Sequence, residues 1–171
     1  MNTLHKYHRK EEDFSICCAH AFPVFRSLFA NRFMREAPGG SDGAKESSNT
    51  WTSEVWGTFH IKTNFPGRCS HFCNGGFITD PQRRRRGVGK LMGYAFLRLA
   101  KDLGYKASYF NLVFRTNEAS LRLWRTLGFT ELAVVPKAGN LKGIDGLVDA
   151  IQFYYDLETL KIEDLPEDIR S

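Results

Sequence analysis

Three asparagines and one arginine–glycine turn carry the chemical interest of this sequence. Asn74 stands in CNGGFITD beside two glycines, Asn111 interrupts the apolar run SYFNLVF, and Asn117 opens NEASLRLW. A carboxamide donates and accepts hydrogen bonds but is a poor proton acceptor. Such residues suit the positioning of a polar substrate and the polarisation of a carbonyl. Each also has a plain structural use. Asn74 fits a polar strand edge near a turn. Asn111 fits a bridge to the backbone, because a buried amide must be hydrogen-bonded. Asn117 fits a helix N-cap, the commonest role of an asparagine just before a helix.

The turn is DPQRRRRGVGKLM, residues 80–92. Its arginines suit nucleic acid; its glycines suit a small phosphate ligand. Its location favours the second use, because it lies between an expected strand and an expected helix. The first amides of a helix lack internal partners and carry the positive end of the dipole. Glycine lets the backbone approach an anion, and consecutive amides form a nest for it. A pyrophosphate therefore fits the amides of Arg85, Arg86, Gly87, Val88, Gly89 and Lys90. The spacing is not that of a Walker A loop, and Met92 stands where a dinucleotide fingerprint needs its third glycine.

The charge balance points the same way. The 171 residues carry a formal charge of +5, and the four arginines account for nearly all of it. The basicity is one local run rather than a broad face, which argues against nucleic acid as a partner. A hydrophobic content of 42% fits one globular domain spanning residues 1–171. No apolar run approaches a membrane span, so no membrane partner is expected. Cys17, Cys18, Cys69 and Cys73 follow no secretory signal, which suggests a reduced, intracellular protein, cytoplasmic or alternatively mitochondrial. CSHFC has no second matching pair, so no metal site is expected.

The elements that must position these residues follow from periodicity. Residues 22–33 have the apolar spacing of a short amphipathic helix, and 38–50 read as a flexible loop. WGTFHIKTN alternates as a half-buried strand, and CNGGFITD is a second strand ended by Pro81. From Gly87 the period becomes helical, with Val88, Leu91, Met92, Ala95, Leu99 and Leu103 on one face and Gly104 as the cap. KASYFNLVF is a buried strand. Asn117 starts a short helix with Leu121, Trp124 and Leu127 inward. Strands are expected at 129–136 and 148–157, a loop at 139–146, and an acidic, fraying tail. This order is α/β or α+β, a sheet covered by helices. The strand–helix–strand unit over 73–114 implies a parallel pair.

Arg84-Arg85-Arg86-Gly87-Val88-Gly89 resembles the Arg/Gln-x-x-Gly-x-Gly/Ala loop of the GNAT superfamily of acetyl-CoA-dependent N-acetyltransferases. Asn117 to Trp124, followed by Leu127-Gly128-Phe129, resembles that superfamily's next signature. Trp124 replaces a tyrosine that often serves there as general acid. GTFHIKTN, PGRCSHFCNGGF, LGYKASYFNLVFRTNEAS, VVPKAGNLKG and VDAIQFYYDL, roughly residues 54–157, are similar to the fungal acetyltransferases of proline analogues such as L-azetidine-2-carboxylate. In that family a longer helical region and another strand follow AHAFPVF; here some thirty residues rich in Gly, Ser and Asn fill the space. A shortened, partly flexible N-terminal part, 1–50, is expected.

The resemblance implies a GNAT-type mixed central sheet, flanked by helices, with a parallel strand pair that splays. It implies acetyl-CoA as co-substrate, a small amino acid as acceptor, a detoxifying role and a homodimer. Backbone amides of Phe77 and Ile78 would pair with the pantetheine arm and thioester, with Asn117 and Trp124 also at the cofactor. Asn74 and Asn111 would bind the acceptor, and Asn111 and Asn117 would serve catalysis. The reaction needs a deprotonated amine, whose ordinary pKa is about 10 by analogy with lysine, aimed donors for the oxyanion, and alignment. Another small amine as acceptor, or an inactive acetyl-CoA-binding module, are the competing readings.

Overall fold

The computed structural model describes residues 16–17 and 56–170. The expected helix at 22–33 and loop at 38–50 lie outside them. The strands are Ile16–Cys17 (β1), Gly57–Thr63 (β2), Phe72–Thr79 (β3), Ala107–Phe114 (β4), Thr130–Asn140 (β5) and Leu147–Asp156 (β6). The α-helices are Val88–Asp102 (α1), Glu118–Thr126 (α2) and the short Glu167–Arg170 (α3). Together the strands form one mixed sheet in the order β1-β2-β3-β4-β6-β5. All neighbours are antiparallel except β3 and β4, which α1 connects and which run parallel, as strand–helix–strand order requires.

The core lies between the sheet and the two longer helices. In β2, Phe59 and Ile61 are buried while Thr58 and Lys62 are exposed, so the period-two pattern holds. The inner side of α1 buries Val88, Leu91, Met92, Ala95, Phe96, Leu97 and Ala100. Leu103, expected on that side, ends the helix and is 37% exposed. Phe110 stands at the centre of an aromatic group, 4.6 Å from Trp124, 5.0 Å from Phe129 and 5.7 Å from Phe96 between ring centroids. Gly75 makes room for Phe96, since a Cβ there would lie 2.6 Å from that ring. Burying each such aromatic stabilises the fold by about 1.5–3 kcal/mol through area alone.

Two expectations are corrected. β5 runs on to Asn140, through residues read as loop. Pro136 cannot donate to a ladder, and a shift of register between Val135 and Gly139 carries the strand past it. Lys137 takes a positive φ of 52° there, and its amide donates to Asp149 Oδ1 at 2.9 Å. The acidic tail does not fray either. Leu157, Leu160, Leu165 and Ile169 are buried in the core. Lys101 Nζ donates to the carbonyls of Leu157 and Leu160, and Arg98 Nη1 donates to the Arg170 carbonyl at 2.6 Å. The acidic side chains had hidden an apolar residue every few positions.

Candidate active site

The site begins where two strands part. β3 and β4 pair only at Phe72–Ala107 and Cys73–Ser108. Beyond that point β3 stays in register with β2 as far as Thr79 but leaves β4. Its backbone parity can be read from both ends. The Asn64 amide donates to the Phe72 carbonyl at 2.8 Å, and the Asp80 amide donates to the Trp56 carbonyl at 2.9 Å. Even-numbered residues therefore turn their backbone groups to β2, and odd-numbered ones turn theirs into the fork. Phe77 presents its amide to the fork, as expected. Ile78 does not: its amide points to β2, and its side chain is 70% exposed on the sheet face away from α1. The sequence cannot supply this parity, because it follows from the register.

On β4, Asn111 lies in an interruption of the ladder to β6, between Phe110 and Val113. Asn111 is half-buried and meets Asn74 through a third carboxamide, Asn64. Asn111 Nδ2 donates to Asn64 Oδ1 at 2.7 Å, and Asn64 Nδ2 donates back to Asn111 Oδ1 at 3.1 Å. Asn74 Nδ2 donates to the same Asn64 Oδ1 at 3.0 Å, and its own Oδ1 accepts from the Gly75 amide at 2.7 Å. The three side chains share the sheet face opposite α1. Sequence reasoning missed Asn64. It stands in TNFPG, where an asparagine reads as part of the turn, and only its spacing from Thr58, His60 and Lys62 hints at the shared face.

The same face carries two further features beside the cluster. Lys62 lies directly opposite Asn74 in the β2–β3 register and is exposed. Phe65, Phe72, Tyr109 and Tyr154 form an aromatic patch, with Phe65 6.0 Å from Phe72 and 5.8 Å from Tyr109. Burial, with help from Asp156 and Glu158, holds the Tyr154 phenol above its usual pKa, so it stays protonated at neutral pH.

The arginine–glycine turn sits at the other end of β3. Arg85 has φ 63° and Gly87 φ 82°, so the chain enters α1 through two left-handed residues. Gly87 is the N-cap, and the Leu91 amide is the first to reach its carbonyl. The amides of Val88, Gly89 and Lys90 precede that bond and have no intrahelical partner. A Cβ on Gly89 would meet only Leu123, at 3.5 Å, so internal packing does not demand a glycine there. The arginines divide. Arg83 lies over Trp56 at 4.6 Å and pairs with Asp80 at 3.4 Å, and Arg86 lies over the same ring at 5.7 Å. Arg84 and Arg85 are exposed. Lys90 reaches over Tyr94, and Val88 is buried beneath the turn. Phosphate fits this donor set: unpartnered amides, a helix start and uncommitted guanidinium groups.

Two expected site residues stand apart. Asn117 caps α2, its Oδ1 accepting from the Ser120 amide at 3.2 Å, and joins none of the other asparagines in a hydrogen bond. Trp124 is 5% exposed, packed between Phe77 at 4.8 Å and Phe110 at 4.6 Å. It supports the floor of the fork and offers no hydroxyl. Beneath the fork, burial pushes the Cys73 thiol up to about 12, which makes it inert as a nucleophile. Ser108 Oγ beside it has no hydrogen-bond partner of good geometry; the weak contact with that thiol offsets little of the burial. Among the described residues no group of acidic, histidine or cysteine side chains could hold a metal.

A parallel pair that parts beside a glycine-opened helix is the feature that a comparison with known families can test. The sequence profile of the acetyltransferase (GNAT) family matches residues 25–129. The chain belongs to that family. Among its relatives, the N-acetyltransferase aca1 of Schizosaccharomyces pombe is 46% identical over 115 residues, covering 67% of this chain and 55% of that protein. The protein SPT10 of Saccharomyces cerevisiae is 34% identical over 106 residues, 62% of this chain and 17% of its own length. The chain thus spans about half of one relative and a small part of the other. Two solved structures share the GNAT fold. A GCN5-related N-acetyltransferase from Kribbella flavida superposes with a TM-score of 0.57 at 21% identity, over 81% of this chain and 93% of that one. The yncA protein of Salmonella typhimurium, solved with its cofactor acetyl-CoA, superposes with a TM-score of 0.56 at 20% identity, over 62% and 60%.

Proposed function

We propose that the chain is an acetyl-CoA-dependent N-acetyltransferase whose acceptor is a small, proline-like amino acid such as azetidine-2-carboxylate. The observation that carries this reading is the fork, with a helix start at one end and a carboxamide cluster on the face away from α1. Amides of Arg85 to Lys90, with Arg84 and Arg85 side chains, would hold the CoA phosphates. The Phe77 amide would pair with the arm inside the fork. When bound, acetyl-CoA would supply the thioester: the amine nitrogen bonds its carbonyl carbon, the C–S bond breaks and CoA leaves as the thiol.

The acceptor's chemistry is read from the opposite face. Lys62 suits a carboxylate, the aromatic patch suits an apolar ring, and Asn74 and Asn111 suit the orientation of a polar group between them. None of the carboxamides can take the amine proton, so it leaves to water. Turnover is then expected to rise with pH as the amine deprotonates toward its own pKa of about 10. The reading takes residues 1–171 as one acetyltransferase domain, acting as a homodimer in a reducing, cytoplasmic setting and removing toxic proline analogues.

A thiol-release assay across azetidine-2-carboxylate, proline and acyclic amines tests it. The expected result is acceptor-dependent release, fastest with the cyclic amino acids. Release with acyclic amines alone would replace the acceptor. Tight acetyl-CoA binding with no amine-dependent release would make the chain a binding module and not an enzyme.

A further inference from the structure

We infer that Asn64 is a positioning residue, which fixes the orientation of the two carboxamides that face the acceptor. This rests on the acceptor-side reading given above. A carboxamide looks nearly the same with its oxygen and nitrogen exchanged, so its sense must come from its partners. Here the sense starts from the main chain. The Gly75 amide can only donate, which makes Asn74 Oδ1 the acceptor at 2.7 Å and turns Asn74 Nδ2 outward to Asn64. Asn64 must then present Oδ1, not Nδ2, to Asn74. Its Nδ2 is thereby committed to Asn111 Oδ1, and Asn111 Nδ2 is returned to Asn64 Oδ1. One backbone hydrogen sets all three amides.

The consequence is an array with one polarity. Each Nδ2 carries two hydrogens, and each spends one inside the cluster. Three N–H groups remain for a ligand, set by hydrogen bonds rather than by charge. Without Asn64, Asn74 Nδ2 loses its partner and both polar atoms of Asn111 lose theirs. Asn111 is then free to turn over, exchanging a donor for an acceptor where the acceptor molecule docks. Asn64 itself is held by its own amide, which donates to Phe72 at 2.8 Å as the last rung of the β2–β3 pairing. It is therefore anchored to the strand and not to the turn that follows.

The test compares the full chain with Asn64→Ala and Asn64→Asp by three measurements: side-chain amide NMR of Asn74 and Asn111, acetyl-CoA affinity by calorimetry, and steady-state kinetics with azetidine-2-carboxylate. Asn64→Ala is expected to shift both amide pairs and to leave acetyl-CoA affinity within about twofold. It should lower kcat/KM for the acceptor on the order of a hundredfold, the scale of a misplaced group near the chemistry. Asn64→Asp keeps the shape and both acceptor contacts, so the fold is retained. It should move the Asn111 resonances, which lose the Nδ2 donor, further than those of Asn74, whose partner becomes a carboxylate oxygen. Unmoved amides in both variants would overturn the inference. So would equal losses in acetyl-CoA affinity and kcat/KM, or a lowered Tm with KM and kcat per folded molecule unchanged. If the unaltered chain turns over no amine, the functional reading fails and the amide spectra alone decide the role of Asn64.

Discussion

The two edges of β4 are used in opposite ways. On one edge β4 is bonded to β6 from Ala107 to Phe114, with a single interruption at Asn111 and Leu112. On the other it meets β3 at two residues and then lets it go. The first edge spends its backbone groups on the ladder that carries the aromatic core. The second leaves them unpaired with β3 beyond Ser108. Asn111 belongs to both, because it lies in the interruption on the β6 side and its side chain joins the carboxamide cluster. On the reading proposed above, stability and ligand binding would be divided across one strand rather than between two domains.

This division can be broken from the stable side first. Phe110→Ala removes the ring that joins Phe96, Trp124 and Phe129, and is expected to cost about 3–5 kcal/mol in chemical denaturation. A much smaller loss would mean that the core does not depend on this strand. The fork side is expected to respond in affinity more than in stability. Gly87→Val forces a β-branched residue to φ 82°, at a cost of about 1–2 kcal/mol, and should lower acetyl-CoA affinity at least on the order of tenfold. Gly89→Val meets no close neighbour, so any affinity it loses reports the ligand's approach to the backbone. Arg83→Glu should lose less than either, because Arg83 is already engaged by Asp80 and Trp56. Calorimetric titration of the three variants orders them, and Arg83→Glu at the top would undo the assignment of the turn.

Smaller effects sharpen the boundary. Asn117→Ala should cost about 1 kcal/mol, the worth of an N-cap, read as a shift in the denaturation midpoint. Catalytic loss beyond the unfolded fraction would restore a role at the thioester. The last effect is silent at neutral pH. The Cys73 thiol is raised from 9.0 to about 12 by burial. The unfolded chain then releases this proton first, so stability present below pH 9 is lost as pH climbs toward 12. Cys73→Ala should flatten that decline in a pH series of thermal melts. An unchanged slope would mean that other groups cause it.

Much of this arrangement was legible in the sequence, and the limits have physical causes. The change of period at Gly87 gave α1, and β-branched and aromatic runs gave the central strands. The turn at residues 84–90 could be read because helix starts and glycines have local meaning. The carboxamide cluster could be read only in part. Asn74 stood out beside paired glycines and Asn111 as an amide in an apolar run, but Asn64 lay in a turn where asparagine is unremarkable. Their meeting depends on strand register, which sequence spacing does not contain. The same is true of Ile78, whose amide direction follows from a parity set at the two ends of the strand, by Phe72 and Asp80. The tail was misread because charge count was weighed over the spacing of Leu160, Leu165 and Ile169.

The tail has a consequence at a distance. α1 is 15 residues long, a rod of about 22 Å. Its far end is gripped by Lys101 on the carbonyls of Leu157 and Leu160 and by Arg98 on that of Arg170. With its last turn tied and its inner side buried from Val88 to Ala100, the helix is held along its whole length. On the phosphate reading proposed above, the helix start would meet its anion already aimed, and the entropy of aiming it would be spent during folding rather than at binding. Residues that never touch the ligand would thus set part of its affinity, by preorganisation.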